Sequence, residues 1–263
     1  MRPLNLTIAL LITTVAANAV RAGEFAAVVS PPRFELAAKS GTTLRQVIEV
    51  TNRSATPGKY RFHTADFVLG ADYGVTFYDA LQPSSCRPWV AIERPLLDLA
   101  AGGTVRYRFE VQVPPDAPAG ECRFAIMVEG AEPAITKAGA VQLPIVGRIG
   151  VIVYVAVGQI SPQLEVFGPE VVDHNGQRVP ALRVHNAGNA HTRLGGFLTG
   201  KDATGKSYDF TPSDLPILPG EIRSVMLTPS TPESPTPQLT FPVIVRGTLE
   251  WSDQKSELDE TFR

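Results

Sequence analysis

The stretch AVQLPIVGRIGVIVYVAV, residues 140–157, is long, apolar and rich in β-branched side chains. It contains one proline, Pro144, and one charged residue, Arg148. β-Branched residues favour strands, and a strand this apolar in a soluble protein needs cover on both faces. We therefore expect the surrounding sequence to supply further strands that pack against it.

The segment TVRYRFEVQV, residues 104–113, has the clearest period-two alternation in the chain. Apolar side chains occupy every second position, and Arg, Glu and Gln lie between them. This pattern is typical of a strand with one face on a core and the other in solvent. Similar short alternations between turn residues predict about seven or eight strands before residue 158, with the spacing of an immunoglobulin-like sandwich.

Two consecutive prolines, Pro31 and Pro32, interrupt the apolar segment EFAAVVSPPRFELAA, residues 24–38. Because proline has no backbone N–H, it disturbs the ladder of a continuous strand. The segment is therefore predicted to bend or to switch from one sheet to another.

A second block of strand patterns begins near Gln159 and runs for about 100 residues, the size of another sandwich. The segment DATGKS, residues 202–207, is typical of a hairpin turn, and residues 228–238 read as a surface loop. We predict an all-β protein with two immunoglobulin-like β-sandwich domains in tandem, covering residues 23–158 and 159–263.

The first 22 residues have the features of a secretory signal: a positive charge at Arg2, an apolar segment, and small residues before a cleavage point after Ala22. The alternative is a membrane anchor, but the uninterrupted apolar run is short for a span of about 20 residues. The mature chain is therefore predicted to be exported and not inserted in a membrane.

The chain has two cysteines, Cys86 and Cys122. An even number of cysteines in an exported protein favours a disulfide, and the alternative is two buried thiols. Trp89 is predicted to pack beside this bridge, and Trp251 in the core of the second domain.

The formal net charge of −2 gives no electrostatic reason to expect nucleic acid as a partner. No nucleophile, phosphate-loop or zinc-protease motif occurs in the sequence, so we expect no enzyme activity. His185 and His191 are six residues apart, which is not a usual zinc spacing, and are predicted to be surface residues of a turn. We expect neither a cofactor nor a metal ion.

The chain resembles the periplasmic chaperones of the chaperone–usher pilus pathway, as a divergent member of that family. The similarity covers nearly the whole mature chain, and its segments are SPPRFEL, VIEVTN, DLAAGGTVRYRFEV, GECRFAIMV, RIGVIVYV, RVHNAGN and LPGEIRSVML. The resemblance implies a periplasmic protein whose partners are pilus or fimbrial subunits, with an outer-membrane usher as a further candidate partner.

In that family the last strand of the first domain is lent to an incomplete subunit, a mode of strand addition. The resemblance implies that Val141, Leu143 and Ile145 fill the groove of the subunit. Pro144 suits an edge strand because it cannot donate to a ladder. A free apolar edge otherwise promotes aggregation, so a partner or a covering segment is expected.

The family also anchors the terminal carboxylate of the subunit with two basic residues in the cleft between its domains. Arg33 matches the first of these positions, but the position of the second, a lysine, is Gly150 here. Arg148 matches a neighbouring basic position, and two arginines can hold a carboxylate by bidentate hydrogen bonds. Arg33 and Arg148 are therefore predicted to lie within one cleft.

Two other classes of function stay open from the sequence. One is an immunoglobulin-like envelope or surface protein that binds through loops, for which the aromatic residues Tyr73, Phe77 and Tyr78 should cluster at the surface. The other, a metal-dependent enzyme or copper carrier, would need several of the four histidines to converge, or histidines to meet Met127 or Met226.

Overall fold

The computed structural model describes residues 25–70, 74–138, 141–232, 234 and 237–263. The predicted signal, residues 1–22, lies outside the described part. Among the described residues, no helix is long and apolar enough to cross a membrane.

Twelve strands and one short 3-10 helix (Arg87–Trp89) are described between residues 27 and 157. The strands are β1 (Ala27–Ser30), β2 (Arg33–Ala38), β3 (Thr43–Asn52), β4 (Gly58–Leu69), β5 (Val75–Tyr78), β6 (Val90–Ile92), β7 (Leu96–Leu99), β8 (Thr104–Gln112), β9 (Gly120–Gly130), β10 (Ala134–Ala138), β11 (Val141–Ile145) and β12 (Arg148–Val157).

Seven further strands are described between residues 164 and 262. They are β13 (Leu164–His174), β14 (Gln177–Asn186), β15 (Gly195–Lys201), β16 (Ser207–Pro212), β17 (Ile222–Ser230), β18 (Val243–Trp251) and β19 (Gln254–Phe262).

Ten of the first twelve strands form a sandwich of two sheets. One sheet has the order β1-β3-β8-β6, and the other has the order β2-β12-β9-β4-β5, with β7 also pairing to β4. The hairpin β10-β11 is a separate two-stranded ladder that lies between β9 and β12 in the chain. Alternate side chains of β8 lie in the core as the sequence predicts, and Tyr107 stacks on Phe62 with ring centroids 3.9 Å apart.

The proline pair after β1 marks a change of sheet. β1 is antiparallel to β3 in the first sheet, whereas β2 is parallel to β12 in the second. The prediction that this segment switches sheets is confirmed.

The second domain is a single sheet of seven strands in the order β13-β14-β17-β16-β15-β18-β19, whose outer strands β13 and β19 approach each other around a core of its own. Trp251 is buried in this core as predicted. The two-domain β-sandwich class predicted from the sequence is confirmed. The predicted boundary at 158/159 falls in the segment that joins β12 to β13.

A buried asparagine supports a loop in each domain. The amide of Asn52 donates to the carbonyl of Thr56, 2.8 Å, and that of Asn186 donates to the carbonyls of Ala190 and Ile217, both 2.8 Å. Both side chains are fully buried. Each asparagine is the last residue of a strand, Asn52 of β3 and Asn186 of β14, so the two domains share this local architecture.

A small apolar cluster lies where the domains meet. Leu218 of the second domain packs there against residues of the outer face of the second sheet of the first domain: Ala65, Phe67, Ala125, Met127 and Tyr154. Strand β12 is therefore covered on one face by its own sandwich core and on the other by this interdomain cluster.

Candidate binding edge and interdomain cleft

The apolar stretch of residues 140–157 divides at Val146 and Gly147 into β11 and β12. In the described part of the chain, β11 pairs only with β10, so its other edge has no strand beside it. Leu143, Ile145 and Val146 are each about half exposed, at 45%, 49% and 50%. The side chain of Val141 lies outside the described part of the structure.

The first half of β12 has an unpaired edge of the same kind. β2 begins at Arg33, opposite Ile152, and the N–H of Ile152 donates to the carbonyl of Pro32 at 3.1 Å. Because backbone polar groups alternate between the two edges of a strand, those of Arg148 and Gly150 point to this same side. Among the described residues no strand pairs with them, so the open edge continues to the point where β2 begins.

Arg33 and Arg148 lie on the same face of the second sheet but not at the same level. Arg33 is opposite Ile152, and Arg148 precedes Ile152 by four residues, about 13 Å along the strand. Arg33 forms an ion pair with Glu35, Nε to Oε1 3.0 Å. Arg148 is exposed and makes no ion pair with a described residue. A joint carboxylate site of these two arginines stays a prediction.

Phe77 covers Gly150, the position at which the family resemblance places a lysine. A β-carbon at Gly150 would overlap the Phe77 ring. The ring can therefore lie here only because residue 150 is a glycine. Phe77 lies in β5 and packs with Leu69 and Ile152 against the interdomain cluster. It is half-buried, whereas Tyr78 is 39% exposed and Tyr73 lies outside the described residues.

A charged cleft lies on the same sheet face, close to Arg33. Its volume is about 430 Å³, and its lining includes Glu35, Tyr154, His191 and Arg193. Glu35 and Tyr154 belong to the first domain, and His191 and Arg193 to the second. The cleft therefore brings polar side chains of both domains together.

His191 joins the two domains at the base of the cleft. Its Nδ1 is 2.6 Å from Oε2 of Glu121, and its ring stacks on Tyr154 with centroids 3.9 Å apart. The side chains of His191 and Glu121 are only 7% and 4% exposed. The prediction of a surface turn histidine is therefore wrong for His191, because the turn lies against the first domain. His185 keeps 26% of its side chain exposed and pairs with the exposed Glu165.

Burial and charge both act on Tyr154. Burial raises the pKa of its hydroxyl to about 12, and three arginines, Arg193, Arg123 and Arg33, act in the opposite direction. Tyr154 therefore stays protonated over the physiological range, among three guanidinium groups.

Arg123 is one of these three cations and is partly buried. Its guanidinium lies over the Phe67 ring, 5.8 Å from the centroid, and burial lowers its pKa. Its Nε is buried without a hydrogen-bond partner, and no carboxylate of a described residue forms an ion pair with it.

The cysteines form the predicted disulfide. Cys86 and Cys122 are bonded, with Cα atoms 5.6 Å apart, and Trp89 packs against the same core cluster. The bridge ties the 3-10 helix to the beginning of β9, one residue before Arg123.

Among the described residues, no three His, Cys, Asp or Glu side chains are grouped as metal ligands would be. The copper alternative required histidines to meet each other or a methionine. His185 and His191 pair with the glutamates Glu165 and Glu121, whereas His63 lies opposite Met127 in the register of β4 and β9.

Sequence reasoning missed Glu35, Tyr154, His191 and Arg193. Their partners are up to 158 residues away in the sequence. The only local signal is the polar turn HNAGNAHTR, residues 185–193, which reads equally well as a solvent-exposed loop.

No family model matches the sequence, and no curated protein matches it significantly. Among solved structures the chain is similar to the class 5 fimbriae chaperone CfaA, with a TM-score of 0.49, 12% identity, and 89% of this chain and 98% of that chain covered. It is also similar to a chain of the Salmonella enterica SafA pilin in complex with the SafB chaperone (TM-score 0.47, 14% identity, coverage 90% and 97%). A third is the Pseudomonas aeruginosa CupB2 chaperone (TM-score 0.46, 11% identity, coverage 90% and 100%). At these identities the similarity concerns the fold alone, so function has to be argued from the residues.

Proposed function

We propose that this chain is a periplasmic chaperone that binds exported pilus or fimbrial subunits by adding an edge strand to them. The observation that carries the proposal is the open edge formed by β11 and the first half of β12. Export follows from the predicted signal at residues 1–22, and an outer-membrane usher is proposed as the second partner.

Main-chain groups supply the affinity in this mode of binding. The N–H and C=O groups of Arg148 and Gly150 face the open edge, so an incoming strand can pair with them. Such pairing would also remove the unpaired backbone groups that make a free edge prone to aggregation.

Side chains on the same strand supply the apolar contact. Leu143 and Ile145 are two residues apart, so they lie on one face of β11 and are both about half exposed. A groove in a subunit that lacks one strand would bury them. Burying a fully exposed leucine or isoleucine side chain is worth about 1.5–3 kcal/mol, and roughly half of this is still to be gained at each of these half-exposed residues.

The test is a pull-down from periplasm with the tagged mature protein and the variant Leu143→Glu/Ile145→Glu. We expect a small exported β-rich protein to co-purify with the parent and to be lost from the variant, since two charges would have to enter an apolar groove. Leu96→Glu is the matched control, because Leu96 is 49% exposed and lies in β7, which pairs with β4 away from the open edge.

Capture of the same partner by the parent and the Leu143→Glu/Ile145→Glu variant would contradict strand addition. If the partner is instead lost from a Tyr78→Ala variant, the alternative of a surface protein takes its place, one that binds through β5 and the loop that follows it, residues 74–85. Tyr78 is the exposed aromatic residue of that region in the described structure.

A further inference from the structure

Strands β14 and β17 of the second domain separate at a point set by two prolines. Their pairing ends where Ala181 lies opposite Met226. Continued at the same register, each of the next two hydrogen-bonded pairs would contain a proline, Pro180 of β14 or Pro229 of β17. Because proline has no backbone N–H, neither pair can form completely, and the ladder stops. Beyond this point in the described structure, β14 pairs only with β13, and β17 only with β16.

A cleft of about 650 Å³ opens between the two separated strands. Its apolar lining is Val179, Met226, Pro229, Pro237, Leu239 and Phe241. Met226 is only 8% exposed, and Leu239 and Phe241 also pack against the core of the second domain. Pockets that bind small molecules have volumes of about 300–1,000 Å³ and are mainly apolar with a few polar groups. This second-domain cleft has the size and the lining of such a pocket.

The second-domain cleft carries a positive charge at its rim. Arg178 and His174 are the ionisable residues in its described lining. The Arg178 guanidinium lies over the Phe241 ring, 4.4 Å from the centroid, and makes no ion pair with a described residue. Asp173 is opposite Arg178 in the register, but its Oδ1 accepts the N–H of Gly176 at 3.0 Å. Stacking on Phe241 orients the exposed, planar guanidinium, which can therefore hold a carboxylate by bidentate hydrogen bonds.

We propose that the second-domain cleft binds an amphipathic carboxylate. The aliphatic or aromatic body of this ligand lies between β14 and β17, where the apolar walls remove it from water. Its carboxylate accepts hydrogen bonds from Arg178, which fixes the orientation of the ligand in the cleft. The cleft belongs to the second domain, whereas the proposed strand addition uses β11 and β12 of the first. The inference therefore does not depend on the proposed function.

The methyl groups of methionine locate the ligand by NMR, because two methionines remain once the predicted signal is removed. Met226 lies in the wall of the second-domain cleft, and Met127 is 1% exposed in the interdomain cluster. The probe is octanoate, added below its micelle concentration to mature protein labelled with ¹³C at the methionine methyl groups. We expect the Met226 signal to shift in a saturable way and the Met127 signal to stay in place.

The role of the charge is tested with Arg178→Gln and with 1-octanol as a neutral probe. Arg178→Gln should bind octanoate about tenfold more weakly, the effect of losing a hydrogen bond to a charged group. It should bind octanol as the parent does. Arg246→Gln is the matched control, because Arg246 is an exposed arginine of the same domain that pairs with Asp259. This control should bind octanoate like the parent.

A Met226 signal that does not respond to octanoate, or that moves together with the Met127 signal, would overturn the site. Equal octanoate affinity in the parent and Arg178→Gln would overturn the role of the carboxylate, and so would an equal loss of octanol binding in this variant. Strand addition is judged separately by the pull-down with Leu143→Glu/Ile145→Glu.

Discussion

Gly150 and Phe77 form a contact that leaves no room for a β-carbon. We expect Gly150→Ala to lower the free energy of unfolding by about 1–3 kcal/mol, because the half-buried ring must move within a packed cluster. Phe77→Ala removes the obstacle, so the cost of Gly150→Ala should largely disappear in the Phe77→Ala background. Urea unfolding of the four proteins of this double-mutant cycle measures the coupling, and additive effects would contradict the contact.

Asn186 holds a loop of the second domain from inside. Its side chain donates to two carbonyls and accepts from the N–H of Gly188 at 3.0 Å. Asn186→Ala leaves these groups buried without partners, so we expect a loss of about 2–3 kcal/mol in the free energy of unfolding. Gln177→Ala, at an exposed position at the start of the same strand β14, should change it by less than about 0.5 kcal/mol. Equal effects of the two substitutions on urea unfolding would contradict the role of Asn186.

The turn between β15 and β16 is organised by one aspartate. The carboxylate of Asp202 accepts hydrogen bonds from the Thr204 hydroxyl, 2.6 Å, the Tyr208 hydroxyl, 3.0 Å, and the N–H of Thr240, 3.3 Å. Burial raises the pKa of this carboxyl, but the hydrogen bonds outweigh burial and lower the pKa overall.

Asp202 should therefore make stability depend on pH in the acid range. A carboxyl with a lowered pKa in the folded state stabilises the protein fully above the pKa of an unfolded aspartate, about 3.9, and this stabilisation is lost as the pH falls through the folded pKa. In urea unfolding, the parent should exceed Asp202→Asn in stability at neutral pH, and the difference should shrink below about pH 4. A difference that stays constant down to pH 3 would contradict this, and Asp209→Asn in the neighbouring strand is the exposed control.

The order of apolar, proline and turn-forming residues within short segments was sufficient to predict several strands and turns. Period-two alternation identified β8, the proline pair identified the change of sheet before β2, and DATGKS identified the turn that Asp202 organises. Each depends on residues that are close together in the sequence. The contact of Phe77 with Gly150 could not be predicted in this way, because alternation does not say which sheet face a distant hairpin covers.

At the scale of the whole molecule, a buried pair, His191 and Glu121, joins the second domain to the first. His191→Ala removes this contact and the stacking on Tyr154, so we expect a loss of about 3 kcal/mol and faster proteolysis of the segment 158–163 between the domains. His185→Ala is the matched control, since its pair with Glu165 is exposed and lies within one domain. Its cost should stay near 0.5 kcal/mol. Unaltered proteolysis of His191→Ala would mean that the apolar cluster around Leu218 holds the domains alone.

The interdomain site was only partly predictable, because its contacts join residues that are far apart in the sequence. Arg33 was singled out by its place after the proline pair, but the carboxylate and the second arginine that surround it come from Glu35 and Arg193. Arg193 reaches the site only because the second domain folds against the first, and no spacing within one segment records that contact. The family resemblance pointed to the cleft, while the partner of Arg33 there could be found only in the folded molecule.

Strand addition along the open edge is the central claim, and amide hydrogen exchange of the complex captured from periplasm tests it most directly. We expect the amides of Arg148 and Gly150 to exchange rapidly in the free protein and to become strongly protected in the complex, because they acquire main-chain acceptors. The amide of Ile152, already bonded to Pro32, should exchange slowly in both states. A complex in which the amides of Arg148 and Gly150 keep their free exchange rates would contradict the account.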